Sequence, residues 1–224
     1  MSTKYATLIK ALRVERGLSQ SAVGEKLGLS RPSYTAIEQG TRELTLGEFE
    51  KLSLLFGVSF QDMERGELPD YEKYKQMILA FLRSNKDLTK TKLAKLLYFA
   101  DFSWYYSHLK SMSGMQYRKI QYGPVSDTYF RLIDEMTTNG EISIEQTEGG
   151  AMRISETRGG AKITLSKVSV DEMRLIHKID TKWKSKKTAE IVKFSHQQMP
   201  YMFAEDNDIV SYDIFTQENP DDIY

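Results

Sequence analysis

Cysteine and histidine are the side chains that most often carry nucleophilic or metal chemistry, and this sequence contains few of them. The absence of cysteine excludes disulfides, zinc–thiolate sites and thiol catalysis. The three histidines, His108, His177 and His196, lack the spacing of four residues at which two imidazoles on one helix face bind zinc. We therefore expect no metal site and interpret the histidines as surface or interface residues.

The glycine pairs and the serines offer no catalytic set either. Gly149-Gly150 and Gly159-Gly160 are not followed by the lysine and helix that a phosphate-binding loop requires, so we predict turns. Ser126-Asp127 follows a Gly-Pro-Val sequence, and nothing nearby in sequence supplies a general base, which favours a helix cap. We expect no cofactor and no enzymatic activity.

The 224 residues are enough for two domains of ordinary size. No apolar run reaches the roughly 18 to 20 residues that span a bilayer, and Met1–Tyr5 leads into an amphipathic stretch instead of a signal peptide. We expect a cytoplasmic protein without membrane association.

The net charge of zero is unevenly distributed along the chain. Residues 1–66 contain 9 basic and 8 acidic side chains, residues 67–204 contain 22 and 16, and residues 205–224 contain none and 7. A nearly neutral first segment gives little non-specific attraction to nucleic acid. The acidic last segment is available either to dock on the domain or to meet a partner.

Apolar residues at helical spacing, with serine or threonine before them and glycine after them, predict short helices in the first segment. The helix-ending glycines are Gly17, Gly28 and Gly40. The segment, residues 1–66, is predicted to form one domain with helices over 5–16, 20–27, 31–39, about 46–55, and 59–65.

The second and third of these helices are joined by Gly28-Leu29-Ser30, and the segment from Leu8 to Gly66 resembles the DNA-binding domain of Cro and phage-type repressors. The residues that carry the resemblance are Leu18-Ser19-Gln20, Gly24, Leu27 to Ser30 and Ile37 to Gly40. We expect Gly24 to lie where the two helices cross. The resemblance also implies an ion pair between Arg13 and Glu38.

In such domains the third helix enters the major groove with its first residues at the base edges. Arg31 has the planar fork that binds guanine, and the methyl group of Ala36 can contact thymine. Pro32 removes a backbone donor, so the Ser30 cap has to use the amide of Ser33. The predicted DNA-binding residues are Gln20, Arg31, Pro32, Ser33, Tyr34, Thr35, Ala36 and Arg42, with Gln20, Ser33, the Tyr34 hydroxyl and Arg42 assigned to phosphate.

The low charge of this segment leaves open a role in dimerisation or protein binding alone. If it does bind DNA, one copy would bind weakly, so we expect a homodimer on an inverted repeat in double-stranded operator DNA.

Residues 67–70 include Pro69 and are the predicted linker to a second domain, residues 71–224. Helical spacing predicts helices over 71–83, 89–108, 126–136, 169 onward and 188–198. Alternating patterns predict a short strand over 116–122, a hairpin over 141–147 and 151–155 around Gly149-Gly150, and a third strand at 162–165. The long helix has a wide apolar stripe, and Lys92 and Lys95 are expected to lie away from it. The predicted fold class is mainly α with a small antiparallel β-sheet, an α+β arrangement.

Residues Thr91 to Asp101, followed by Tyr122-Gly123-Pro124-Val125, are similar to the Panacea domain, also called SocA-like. Phe194-Ser195-His196, Met199-Pro200-Tyr201 and Ile209 to Tyr212 continue the resemblance, which spans Tyr71 to Phe215. Tyr201 stands where tryptophan is expected. The resemblance implies an antitoxin that binds and neutralises a protein toxin encoded beside it, and whose repressor-like domain controls the shared promoter.

Aromatic residues of this domain are the candidate anchors for a toxin, because they supply large contact area at low entropic cost. Packing inside the domain is the alternative for Tyr105 and Tyr106. The candidates are Tyr105, Tyr106, Tyr122, Tyr201, Tyr212 and Phe215.

The sequence therefore favours a two-domain antitoxin and autorepressor. The alternative is a ligand-responsive or phage-type transcriptional regulator, or a protease adaptor, without a toxin partner. A further hypothesis is that the acidic segment from Glu205 occupies a basic cleft of the toxin.

Overall fold

The computed structural model describes residues 3–56, 58, 69–126 and 128–224. The chain divides into two compact units, Met1–Pro69 (unit 1) and Asp70–Tyr224 (unit 2). The helix expected over residues 59–65 and the first half of the expected linker lie outside the described residues.

Unit 1 consists of short helices around a small apolar core. The helices are α1 (Thr3–Glu15), α2 (Gln20–Leu27), α3 (Arg31–Glu38) and α4 (Leu46–Phe56). The core includes Ile9, Leu12, Val23, Ile37 and Phe56. Serine caps begin α2 and α3, as their positions predict: Ser19 accepts a hydrogen bond from the amide of Ala22 at 3.1 Å.

Unit 2 is built around one long helix. Its helices are α5 (Tyr71–Ser84), α6 (Lys90–His108), α7 (Tyr129–Thr138), α8 (Val170–Trp183), α9 (Thr188–Gln197), α10 (Met199–Phe203) and α11 (Tyr212–Phe215), with 3-10 turns at Gly160–Lys162 and Pro220–Asp222. Most side chains of α6 are buried, because α5, α8, α9 and α11 all pack against it. A capping box begins α8, the helix expected from residue 169 onward: Glu172 N donates to Ser169 Oγ at 3.3 Å, and Ser169 N donates to Glu172 Oε2 at 2.7 Å.

Two small antiparallel sheets complete unit 2. The strands are β1 (Leu88–Thr89), β2 (Tyr117–Arg118), β3 (Val125–Ser126), β4 (Ile142–Gln146) and β5 (Met152–Glu156). One sheet has the order β1-β5-β4, with Ile154 paired to both Leu88 and Ile144; the other pairs β2 with β3. The expected fold class and the hairpin are confirmed.

Three expectations for unit 2 are corrected by the structure. The third strand of the sheet is β1, and not residues 162–165 as expected. Lys162 is instead the last residue of a 3-10 turn. The strand expected over 116–122 is limited to Tyr117–Arg118. The helix expected to be capped near Ser126 begins at Tyr129, since Ser126 pairs with Tyr117 in the small sheet. Among the described residues, no helix has the length and apolar character needed to cross a membrane.

Candidate functional site

The crossing of α2 and α3 depends on the absence of a side chain at Gly24. A Cβ at this position would lie 3.1 Å from Leu29 O, closer than most side chains tolerate, and would also contact Tyr34 Cβ at 3.5 Å. The expected position of Gly24 at the close approach of the two helices is confirmed, and this contact fixes how α3 is presented.

The first turn of α3 is exposed and capped as predicted. Ser30 Oγ accepts a hydrogen bond from Ser33 N at 3.3 Å, the amide that remains once Pro32 has removed its own donor. Arg31 and Pro32 are exposed, whereas Ser33, Thr35 and Ala36 are half-buried. This end of the helix therefore presents a guanidinium and small side chains to solvent, which is the chemistry that base-edge readout uses.

Gln20 connects α2 to α3 through its side-chain amide. Its Nε2 donates to Glu38 Oε2 at 3.0 Å, and its Oε1 lies 3.2 Å from Thr35 Oγ1. Glu38 also accepts two hydrogen bonds from Arg13, at 2.5 and 3.0 Å, so the ion pair implied by the repressor resemblance is present. Burial raises the pKa of Glu38, but these donors outweigh it and hold the pKa below its ordinary value.

Two predicted phosphate contacts have other partners or positions in the structure. Tyr34 is fully buried, so its hydroxyl does not reach the surface, and burial raises its pKa well above the ordinary value. Arg42 donates to both carboxylate oxygens of Glu48, at 2.7 and 3.1 Å. Because Glu48 also caps α4 through Thr45, Arg42 stabilises the start of that helix.

In unit 2, three of the motif segments of the second resemblance meet at one point. Lys95 Nζ donates to Pro124 O at 2.6 Å. Gly123 has a φ of 91°, and a Cβ there would lie 2.7 Å from Ser195 Oγ and 2.8 Å from Lys95 Cε, so only glycine fits. Burial lowers the pKa of Lys95 to about 7.

The expectation that Lys92 and Lys95 lie away from the apolar stripe is wrong. Both are buried, and each ammonium donates to backbone carbonyls: Lys92 Nζ to Lys186 O at 2.6 Å, and Lys95 Nζ to Pro124 O. Their carbonyl partners are distant in sequence, so periodicity did not indicate this role.

A buried acidic residue on α6 was also missed by sequence reasoning. Asp101 is fully buried and accepts hydrogen bonds from Ser113 N at 2.7 Å, Ser113 Oγ at 2.6 Å and Tyr117 Oη at 2.7 Å. Burial raises its pKa to about 6, although these hydrogen bonds act in the opposite direction. The network positions the loop that follows α6 and is not open to solvent.

A cleft of about 640 Å³ lies beside the point where the motifs meet. It is lined by Thr91, Tyr122, Thr188, Val192, Lys193 and His196, among others. His196 stacks on Tyr201 with ring centroids 4.4 Å apart, and burial lowers the pKa of the imidazole. Within the part of the chain that the structure describes, no group of three potential ligands could hold a metal ion.

The six aromatic candidates for toxin contact occupy different environments. Tyr105 and Phe215 are in the core and therefore offer no surface to a partner. Tyr106 and Tyr212 are half-buried, and Tyr212 stacks on Phe102 at 4.0 Å. Tyr201 is half-buried and donates to Ile120 O at 3.0 Å. Of the six, Tyr122 is the most exposed, at 62%.

The acidic segment from Glu205 is docked on unit 2. Val210 N donates to Tyr117 O at 2.8 Å, and Tyr212 Oη donates to Met115 O at 2.6 Å. Tyr105 Oη donates to Asp213 at 2.5 Å, and Phe215 is fully buried. Removing the segment would therefore open the core. For this reason, a truncation after Ala204 would not test the electrostatic role of the segment separately from its packing.

Two family models match the sequence, one in each unit. Residues 93–201 match the antitoxin SocA-like, Panacea domain, and residues 9–63 match a helix-turn-helix family. Both resemblances expected from the sequence are confirmed. The chain thus combines a helix-turn-helix segment of DNA-binding transcription regulators with an antitoxin-type segment.

The curated relatives match about a quarter of the chain. The chain is 36% identical over 59 residues to the cryptic phage CTXphi transcriptional repressor RstR of Vibrio cholerae, a match covering 26% of this chain and 53% of that protein. It is 36% identical over 63 residues to the uncharacterized HTH-type transcriptional regulator YqaE of Bacillus subtilis (strain 168), covering 28% and 54%. The matches thus span about half the length of these relatives. No solved structure matches the chain significantly.

Proposed function

We propose that this protein is an antitoxin and autorepressor that acts in the cytoplasm. Unit 2 binds and neutralises a protein toxin encoded beside it, and unit 1 represses the shared promoter. The observation that carries the proposal is that the antitoxin-type segment follows a helix-turn-helix unit with an exposed, capped first turn on α3.

On the DNA side, Arg31 is the principal base-reading residue of the proposal. Thr35 and Ala36 lie one turn further along the same helix, and Ser33 remains the proposed phosphate contact. Gln20 acts by positioning α3 through Thr35 and Glu38. A homodimer on an inverted repeat supplies the affinity that a nearly neutral unit lacks.

Co-expression with the adjacent open reading frame tests the proposal. We expect that frame to arrest growth alone and the full-length protein to restore growth. A reporter behind the shared promoter should be repressed by the full-length protein but not by an Arg31→Ala variant. A harmless adjacent frame, or one that stays toxic beside the intact protein, would overturn the antitoxin assignment.

A second candidate function is a ligand-responsive regulator, which a cleft of about 550 Å³ in unit 2 favours. Its lining combines aromatic, cationic and acidic groups suited to a small polar molecule, among them Trp104, His108, Lys178, Lys182, Asp221 and the ion pair of Arg174 with Asp171. Two observations together would favour this function over the antitoxin: a metabolite changes the affinity of the protein for its operator, and the protein forms no complex with the neighbouring gene product.

A further inference from the structure

Two consecutive apolar side chains at the end of α10 are exposed to solvent. Met202 is 61% exposed and Phe203 is 69% exposed. Pro200 of the same short helix is buried, so α10 is anchored while its last residues face solvent. Adjacent large apolar side chains left in water are typical of a surface that a partner covers.

The backbone that follows Phe203 is held by hydrogen bonds to the edge of β2 and the residue after it. Asn207 N donates to Lys119 O at 2.9 Å, and Lys119 N donates to Asp208 O at 2.9 Å. Lys119 Nζ also donates to Ala204 O at 2.9 Å. Because the backbone next to the exposed pair is already ordered, a partner pays little conformational entropy to bind it.

Carboxylates border the exposed pair on its C-terminal side. Glu205, Asp206 and Asp208 are exposed, and no basic residue occurs from position 205 to position 224. Lys119 Nζ lies 3.8 Å from Asp206, whose side chain is 90% exposed and remains accessible. Arg118 also donates to Asn207 O at 2.8 Å, so the exposed apolar pair is followed by a stretch in which three carboxylates outnumber the two neighbouring cations.

We propose that this surface, formed by Met202, Phe203, Glu205, Asp206 and Asp208 and here called the acidic-apolar edge, is where the toxin docks. The complementary partner is a protein with an apolar pocket ringed by lysine or arginine, as found in clefts that bind nucleic acid. The inference rests on the proposed antitoxin function and deepens it by naming the surface and the chemistry of the partner. It uses none of the six aromatic candidates, of which Tyr105 and Phe215 are buried. It shares with the sequence-based hypothesis on the acidic segment only the carboxylates of Glu205, Asp206 and Asp208.

The test measures binding of the full-length protein to the product of the adjacent open reading frame, together with growth rescue. We expect Phe203→Ala to raise the Kd about tenfold or more, and Met202→Ala with Phe203→Ala to abolish rescue. Asp206→Asn with Asp208→Asn should slow association and reduce its dependence on salt. Phe130→Ala is the matched control, because Phe130 is an exposed aromatic residue on α7 of the same unit and is not among the toxin candidates.

The outcomes separate this inference from the function on which it rests. If the wild-type protein fails to rescue growth, both fail. If the wild-type protein rescues growth and the double variant binds and rescues equally well, only the acidic-apolar edge is wrong. Loss of binding in Tyr122→Ala, with none in Phe203→Ala, would also overturn it and assign docking to the cleft. Unchanged operator binding and tryptophan fluorescence would show that the variants are folded.

Discussion

Glu38 in unit 1 and Asp101 in unit 2 are both buried carboxylates, but their partners differ. Glu38 forms an ion pair with Arg13 and has a lowered pKa, whereas Asp101 is bound by hydroxyl and amide donors and has a pKa raised to about 6. Burial acts in the same direction on both groups. The partner therefore decides whether a buried carboxylate favours folding at neutral pH or opposes it.

Removing the carboxylate from the ion pair should have the largest effect. Glu38→Ala leaves the guanidinium of Arg13, whose side chain is only 12% exposed, without its charged partner. We expect unit 1 to lose about 3 to 5 kcal/mol of stability, enough to abolish operator binding. Both tryptophans, Trp104 and Trp183, are in unit 2, so their fluorescence should not change. Operator binding retained by Glu38→Ala would show that the pair is dispensable.

The pH dependence of the stability of unit 2 tests the conclusion drawn for Asp101. The folded pKa of Asp101 is above its unfolded value, so its ionised form destabilises unit 2 above about pH 6 and this cost disappears as the pH falls towards 4. The stability of the wild type relative to Asp101→Asn should therefore rise by about 2 kcal/mol between pH 7 and pH 4. Urea unfolding followed by tryptophan fluorescence measures this difference. Asp134→Asn, at an exposed aspartate, is the control and should show no such trend.

For Glu38 the sign is opposite, since its folded pKa is lowered. Its contribution is fully present above the unfolded pKa and is lost as the pH falls through the folded pKa. As the pH is lowered, the stability of unit 2 should therefore rise first, because Asp101 is protonated. The stability of unit 1 should fall only at lower pH, where Glu38 is protonated. A parallel response of both units would contradict the comparison.

Replacing Arg31, the proposed base-reading residue, should have a smaller effect that is confined to DNA binding. Arg31→Ala removes the exposed fork at the start of α3 and should cost about 1 to 3 kcal/mol of operator affinity, with relaxed preference at one base pair. Binding to a panel of operators with single base changes measures both quantities. Lys10→Ala, an exposed cation on α1, should leave the preference unchanged. Toxin rescue should be unaffected by either variant.

The helix cap should have the smallest effect. Ser30→Ala removes the acceptor of the Ser33 amide and should cost about 1 kcal/mol. Hydrogen exchange of the α3 amides should increase, while exchange in unit 2 stays constant. Ser21→Ala, at an exposed position inside α2, provides the control. Equal exchange rates in the two variants would show that the cap does not stabilise α3.

The sequence predicted well those features of the structure that depend on residues close together in the chain. The caps at Ser19, Ser30 and Ser169 involve residues only three apart, so spacing alone identifies them. Gly24 and the Arg13–Glu38 pair followed from a resemblance that covers the whole unit.

Contacts between distant residues were not predictable in the same way. Strand β1 has two residues and therefore no periodicity, and only its pairing with β5 identifies it. Lys95 looks like a surface residue until Pro124, 29 residues later, supplies its acceptor. For the acidic segment the sequence left docking on the domain and contact with a partner as alternatives, and it could not name the docking partners, which lie far away in sequence on α6 and β2.

The return of that segment to α6 also has a kinetic consequence. The hydrogen bond between Tyr105 and Asp213 joins residues 108 positions apart, and Lys73 with Glu172 closes a loop of 99. In unit 1 the Arg13–Glu38 ion pair spans only 25 positions, and the hydrogen bond from Arg16 to Phe56 O spans 40. Because folding slows as contacts become more distant in sequence, unit 1 should reach its native state while unit 2 is still forming. Stopped-flow refolding should then show helix formation in unit 1 ahead of the tryptophan signal, so that the DNA-reading unit is complete before its larger neighbour.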